Sequence, residues 1–288
     1  MRAASDLLDV APSSISRHIA SLEEELGVDL IERGRHVVRL TPAGARVLEY
    51  YRDRASQREA LLTELEELKG LRRGHVDLAV GEGLLRATLA PAIADFSQRF
   101  PQISLSIRSM PSRDVIPTIV NDECYFGVLM GPVGDPRLRV RSTFREPTCL
   151  ICRPDHPLAG RSAVKMEELA DQKLILPDAG FHVHQAMASV LEREGLRIPV
   201  LITCNSIQMI LDSVLAGAGV TVLSLTSVRE QTARGDLVAI PIDEPVLQEA
   251  RVQIVKRAGR RLPSSAMILI ETLEQFQRRF AQSTNRRD

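Results

Sequence analysis

The hexapeptide "PSSISR", Pro12 to Arg17, packs three hydroxyls (Ser13, Ser14, Ser16) and one guanidinium (Arg17) into less than two turns of helix. Such groups suit a polar partner approached closely. Small hydroxylated side chains let two surfaces seat deeply, and a guanidinium can grip a guanine edge or a phosphate. At helical spacing Ile15, Ile19, Leu22 and Leu26 share one stripe, which leaves the serines, Arg17, Ala20, Ser21 and Glu24 on or beside the opposite face. Pro12 fits the first turn, where its missing N–H is no loss, and Gly27 follows as a terminator. A second set of donors, Arg33, Arg35 and His36, surrounds Gly34 between two apolar runs in "VDLIERGRHVVRL", the pattern of a β-hairpin with its cations at the tip. A solvated turn is the plainer reading of that tip. Three donors projecting beside an outward helix nevertheless suit a phosphate backbone.

Other residues with chemical potential weigh less. Cys149 and Cys152 form a CxxC, but no second pair or matched histidines complete a metal shell, and "TCLICR" reads as a strand in which cysteine is a small apolar residue. His182 and His184 read as a surface pair. The GxG of "VGEGLL" lacks the rest of a nucleotide fingerprint, and Glu82 would repel a phosphate. With no Ser-His-Asp/Glu or paired-carboxylate spacing standing out, no catalytic or metal-ligating residue is assigned, and enzyme activity is the least favoured class. The 37 basic and 37 acidic residues cancel, so attraction to nucleic acid must come from a local patch. Few, scattered cysteines and the lack of a leader or long apolar run predict a cytoplasmic protein without a membrane partner.

Presenting the serine-rich face requires a helix behind it. Ala4, Leu7 and Leu8 supply one, and "DVAP" leaves room only for a tight helix-turn-helix corner. Thr41 and Pro42 then open a helix running to about Lys69 without another proline, about 40 Å at 1.5 Å per residue. Its apolar positions, Val47, Leu48, Tyr51, Leu61, Leu62, Leu65 and Leu68, need a partner, and a second copy of the same helix predicts a homodimer. "KGLRRGH" reads as a hinge. Beyond it, "VDLAV", "ISLSI", "YFGVLM", "TCLIC", "KLIL", "VLITC", "GVTVL" and "RVQIV" alternate with helical stretches, which predicts α/β structure with a largely parallel sheet. The strand group recurring after about Glu146 suggests two lobes with a cleft between them.

The segments "RAASDLLDVAPSSISRHIASLEEELGVDLIERGRHVVRLTPAG", "RPDHPLAG" and "SVLAGAGVTVLS" resemble the LysR-type transcriptional regulators, over nearly the whole chain. The resemblance implies an N-terminal winged helix-turn-helix (all-α with a β-hairpin wing), a linker helix that dimerises, and an α/β two-lobed effector domain like that of periplasmic solute-binding proteins. By position, residues 1–41 would be the DNA-binding domain, 42–70 the linker helix and 75–288 the effector domain, with lobe I in 75–146 and 251–288 and lobe II in 147–250. Pro12, Ser13, Ser14, Ser16 and Arg17 would meet the major groove of double-stranded operator DNA, and Arg33, Arg35 and His36 its backbone. A homodimer assembling to a homotetramer is implied, with RNA polymerase as a further partner. Family members begin with a further helix upstream of "RAASDLL", so Met1 is expected to be an internal methionine of a longer reading frame.

Within the cleft, effector contacts are expected at Glu82 and Gly83 after the first strand and at Met110, Pro111 and Ser112 after "SLSIRS". Asp178 and Phe181 in "PDAGFH", and Asn205 and Ser206 opening "SIQMILDSV", complete the set. Helix N-termini facing the cleft favour a carboxylate on the effector, and no cofactor is expected. For each residue alone a capped turn is as good a reading. The rival to a regulator is a two-lobed solute-binding protein without a transcriptional role, which would have no use for the hairpin and long helix.

Overall fold

A computed structural model of the chain describes residues 2–32, 38–68, 74–85 and 89–284. It divides into two compact units, Met1–Leu61 with Gly259–Arg261, and Leu62–Ala258 with Leu262–Asp288.

In the first unit α1 (Arg2–Leu8) turns into α2 (Pro12–Leu26). Asp9 takes the left-handed conformation at the corner (φ 51°), which a short polar side chain tolerates. Pro12 opens α2, and Gly27 (φ 67°) closes it by donating its N–H to the Glu23 carbonyl. Ile31 then bridges Leu40 in antiparallel fashion, and the Glu32 N–H donates to Arg39 O at 2.9 Å, so the base of a hairpin is present. Its tip, residues 33–37 with Arg33, Arg35 and His36, lies outside the described residues. The Thr41 hydroxyl accepts the Gly44 N–H and donates to Asp29 O, capping α3 (Pro42–Leu68). On α3, Leu48, Tyr51, Leu61, Leu62 and Leu65 stand exposed while Val47 is half-buried; the Leu68 side chain is not among those described.

The second unit carries two sheets of the same design. The first is built from β1 (Gly74–Gly81), α4 (Ala90–Arg99), β2 (Ile103–Met110), α5 (Ser112–Val120), β3 (Phe126–Met130) and β4 (Leu138–Arg145). The second takes β5 (Thr148–Cys152), β6 (Leu174–Pro177), α6 (His182–Glu194), β7 (Val200–Cys204), α7 (Ile207–Leu215), β8 (Val220–Ser224), α8 (Arg229–Arg234), β9 (Val238–Pro241) and α9 (Pro245–Gln248). The chain then returns through β10 (Arg251–Arg257) to the first sheet and ends in α10 (Ser264–Thr284). Strand orders are β2-β1-β3-β10-β4 and β7-β6-β8-β5-β9. In each, four strands run one way and the fourth in order, β10 or β5, runs antiparallel to both of its neighbours. The expected largely parallel sheet is therefore corrected to two mixed ones, because the strand that enters or re-enters each lobe comes from the crossing side and runs the other way.

Buried strands fill both lobes: Val76, Leu78, Val80 and Phe126 with Phe96 in the first, and Leu150, Ile151, Leu174, Ile175 and Val222 in the second. The crossings between them touch, with the Glu146 N–H on Ala250 O at 2.8 Å and Arg145 Nε on Gln248 O at 3.1 Å. Parallel strands β1 and β6 end toward this same region, which is where an α/β sheet offers its ligand sites.

Candidate functional sites

On α2 every residue keeps some exposure. Pro12, Ser13, Ser16, Arg17, Ala20, Ser21 and Glu24 are exposed, Ser14 is half-buried, and Ile15, Ile19 and Leu22 are half-covered on the other side. Leu26 is 44% exposed, so the apolar stripe fades toward the C-terminal end. The Ser16 hydroxyl donates to Pro12 O at 3.2 Å and keeps its lone pairs for an outside donor. The residue that sequence reasoning missed is Glu23. Its Oε1 accepts the N–H groups of Leu30 (2.7 Å) and Ile31 (3.2 Å), which ties the hairpin to the helix. A carboxylate one turn before a helix end gives no signal of such a reach.

Between the lobes lies a cavity of about 40 Å³, room for roughly three waters and far below the size of a metabolite site. Of the expected effector residues, Glu82, Gly83, Ser112 and Phe181 line it. Met110, Pro111, Asp178, Asn205 and Ser206 do not. Met110 accepts a weak bond from Thr118 on α5 (3.5 Å), and Pro111 lies against the Gly180 turn. Asp178 accepts the Gly180 N–H (2.8 Å), Ser206 caps α7 through Met209, and Asn205 is exposed. Unforeseen members of the lining include His182, Ser224 and Ser227. Ser224 ends β8 and caps the short 3₁₀ turn Leu225–Val228 that holds Ser227, so "SLTS" after a strand was the available signal. His182 and His184 correct the expected surface pair. The His182 ring lines the cavity and also lies where a β-carbon on Gly131 would meet it at 2.7 Å, and His184 bonds Pro177 O at 2.8 Å.

Among the described residues, two hydrogen bonds cross the cavity. The Ser227 hydroxyl donates to Gly83 O (3.1 Å), and the Ile207 N–H, at the start of α7, donates to Glu82 Oε1 (3.3 Å). Behind Ser227, the buried carboxylate of Glu146 at the crossing accepts both the N–H (2.9 Å) and the hydroxyl (2.6 Å) of Thr226. Burial raises the Glu82 carboxyl above its ordinary range, more than the Ile207 N–H lowers it, and the Asp178 charge pushes it further up. Burial likewise raises Glu146 and lowers His182, which favours the neutral imidazole. Cys149 and Cys152 sit inside β5 with their thiols pushed up by burial to about 12 and about 11, and alternation along the strand sends them to opposite faces. Among the described residues no group of His, Cys, Asp and Glu is placed to hold a metal ion.

A helix-turn-helix with an exposed polar second helix, in one chain with two lobes closing on a shared cavity, defines a ligand-responsive transcriptional regulator. Residues 1–45 match the bacterial regulatory helix-turn-helix protein, lysR family, and residues 69–278 match the LysR substrate binding domain. The chain belongs to the LysR family of transcriptional regulators. It is 29% identical over 266 residues to the RuBisCO operon transcriptional regulator of Allochromatium vinosum, across 91% of this chain and 86% of that one. A full-length OxyR from Pseudomonas aeruginosa has a similar fold (TM-score 0.68, 22% identity, 96% of this chain and 88% of that one). The Synechocystis CcmR regulatory domain, solved in complex with 2-PG, matches with a TM-score of 0.63 and 24% identity over 71% of this chain and 98% of that one. Among the described residues no helix is long and apolar enough to cross a membrane.

Proposed function

We propose that this regulator reads operator DNA with α2 and its hairpin and reports on a carboxylate-bearing small molecule held between its lobes. Residues 1–41 then form the DNA-reading head, 42–70 the linker and dimerisation helix, and 75–288 the sensor, with lobe I in 75–146 and 251–288 and lobe II in 147–250. Pro12, Ser13, Ser14, Ser16 and Arg17 lie toward the major groove, and Arg33, Arg35 and His36 along the phosphates. The observation that carries this reading is the exposed, small-residue face of α2 with Arg17 on it. A second copy covers the exposed leucines of α3, giving a homodimer that pairs into a tetramer on promoter DNA, in the cytoplasm and with RNA polymerase as a further partner.

The CcmR domain's complex with 2-PG supports a small molecule as effector, and the helix N-termini that open on the cavity favour an acid. At about 40 Å³ the cavity must open to admit one, so binding shifts the balance between lobe arrangements and with it the spacing of two reading heads. The test is a gel shift across a salt series, using the fragment upstream of the regulator's own gene. Arg17→Ala should weaken binding about tenfold and lower the salt slope by about one, with the unfolding temperature unchanged. Equal affinity of variant and wild type at every salt concentration removes Arg17 from the interface.

A further inference from the structure

We infer that Glu82 makes the interlobe cavity a site for an effector carrying a protonated amine. The inference rests on the reading that the effector binds between the lobes, and it adds the chemical class that this chain selects.

Glu82 lines the cavity from the turn after β1, and among the described residues its one donor is the Ile207 N–H at 3.3 Å, a long bond. A ligand seated there displaces the water around the remaining oxygen. A carboxylate stripped of water must find a donor or carry the full cost of desolvation, and a charged donor within reach is the strongest remedy. The lining itself offers little: the hydroxyls of Ser112, Ser224 and Ser227 are neutral, and so is the His182 imidazole in its burial-favoured form. No lysine or arginine stands among the described lining residues. Asp178, on the equivalent turn of lobe II, adds a second negative charge near Glu82. An effector bearing only a carboxylate would therefore enter against like charge. One that also bears an ammonium pairs with Glu82, draws it off Ile207, and leaves that amide and the Ser112 hydroxyl, which only accepts from the Met130 N–H, for its own carboxylate. Small amino-acid-like zwitterions satisfy both ends of the cavity.

The experiment uses the full chain and a matched panel: the standard L-amino acids, the corresponding alkyl amines and the corresponding amine-free carboxylic acids. Hydrogen exchange at the Gly83 and Ile207 amides locates binding, and titration gives affinity. Protection of those amides is expected from amine-bearing members alone. Glu82→Gln, which keeps the shape of the side chain, should weaken the best of them at least tenfold, and Glu82→Lys should turn preference toward the amine-free acids. Unfolding midpoints of both variants verify that they fold. Amine-free acids protecting the wild-type cleft while no amine does, or amines unaffected by Glu82→Gln, overturns the inference and leaves the cleft reading standing. Binding that leaves Gly83 and Ile207 unprotected sinks the cleft reading itself, and with it this inference. A panel in which nothing binds also counts against the amine.

Discussion

The two lobes repeat one topology, and their first parallel strands, β1 and β6, each end in a turn carrying an acid: Glu82 in one, Asp178 in the other. The shorter Asp178 bends back onto the Gly180 N–H of its own turn, the habit of an aspartate that mimics backbone. Glu82, one methylene longer, reaches over the cavity to the first amide of α7. The same scaffold thus produces one self-contained turn and one that depends on its neighbour. Specialisation of the cleft lies in side-chain length at equivalent positions rather than in a change of architecture.

The third parallel strands, β3 and β8, extend the comparison and carry the largest expected effect. Gly219, just before β8, lies so near the Lys173 carbonyl that a β-carbon would collide with backbone, whereas one at Gly127 in β3 would meet the Val115 and Ile119 side chains. Backbone yields less than a side chain. Gly219→Ala should cost about 3 kcal/mol and Gly127→Ala about half that, measured by urea unfolding. Equal losses would mean that the two lobes relax alike.

A smaller effect separates the two acids. Glu82→Ala removes the bond across the cavity, worth about 1 kcal/mol, so the Ile207 amide should exchange roughly fivefold faster. Asp178→Ala should accelerate Gly180 instead and leave Ile207 protected. If both substitutions free Ile207 equally, the turns are coupled and the contrast drawn between them fails.

Much of this could be read from residues alone. From Gly74 onward each apolar run expected to be a strand lies in one to within a residue, and those buried along their whole length, such as β5 and β8, read as continuous hydrophobic segments. Among the described residues, the hairpin runs around residues 33–37 supply only the Ile31–Leu40 bridge. The strands β4 and β9 escaped notice. β4 is an edge strand studded with Arg139 and Arg141, and β9 is four residues long. Pro117 inside α5 likewise masked a helix. At the cavity, Glu82, Gly83, Ser112 and Phe181 follow from the rule that ligands gather beyond strand ends. Ser227 also lies beyond a strand end, after β8, but its bond to Gly83, which lies 144 residues away in the chain, has no local signal. Local patterns announce turns; they do not announce which turns will face each other.

The smallest effect concerns Glu146, which belongs to the crossing between the lobes. Only 5% exposed and bonded twice to Thr226, it has a carboxyl raised above 4.5 by burial, against the pull of those bonds. In the window between 4.5 and that raised value the folded chain holds a proton that the unfolded chain has released. The stabilisation this represents is complete below 4.5 and is lost as pH rises through the folded value. Glu146→Gln keeps the volume and an acceptor for the Thr226 N–H but cannot titrate. Its unfolding midpoint should therefore fall less than that of the wild type as pH rises through the same window, while Glu82, titrating in both proteins, cancels from the difference. Parallel profiles would show that Glu146 keeps its ordinary affinity for protons, and that the Thr226 turn offsets the cost of burying its charge.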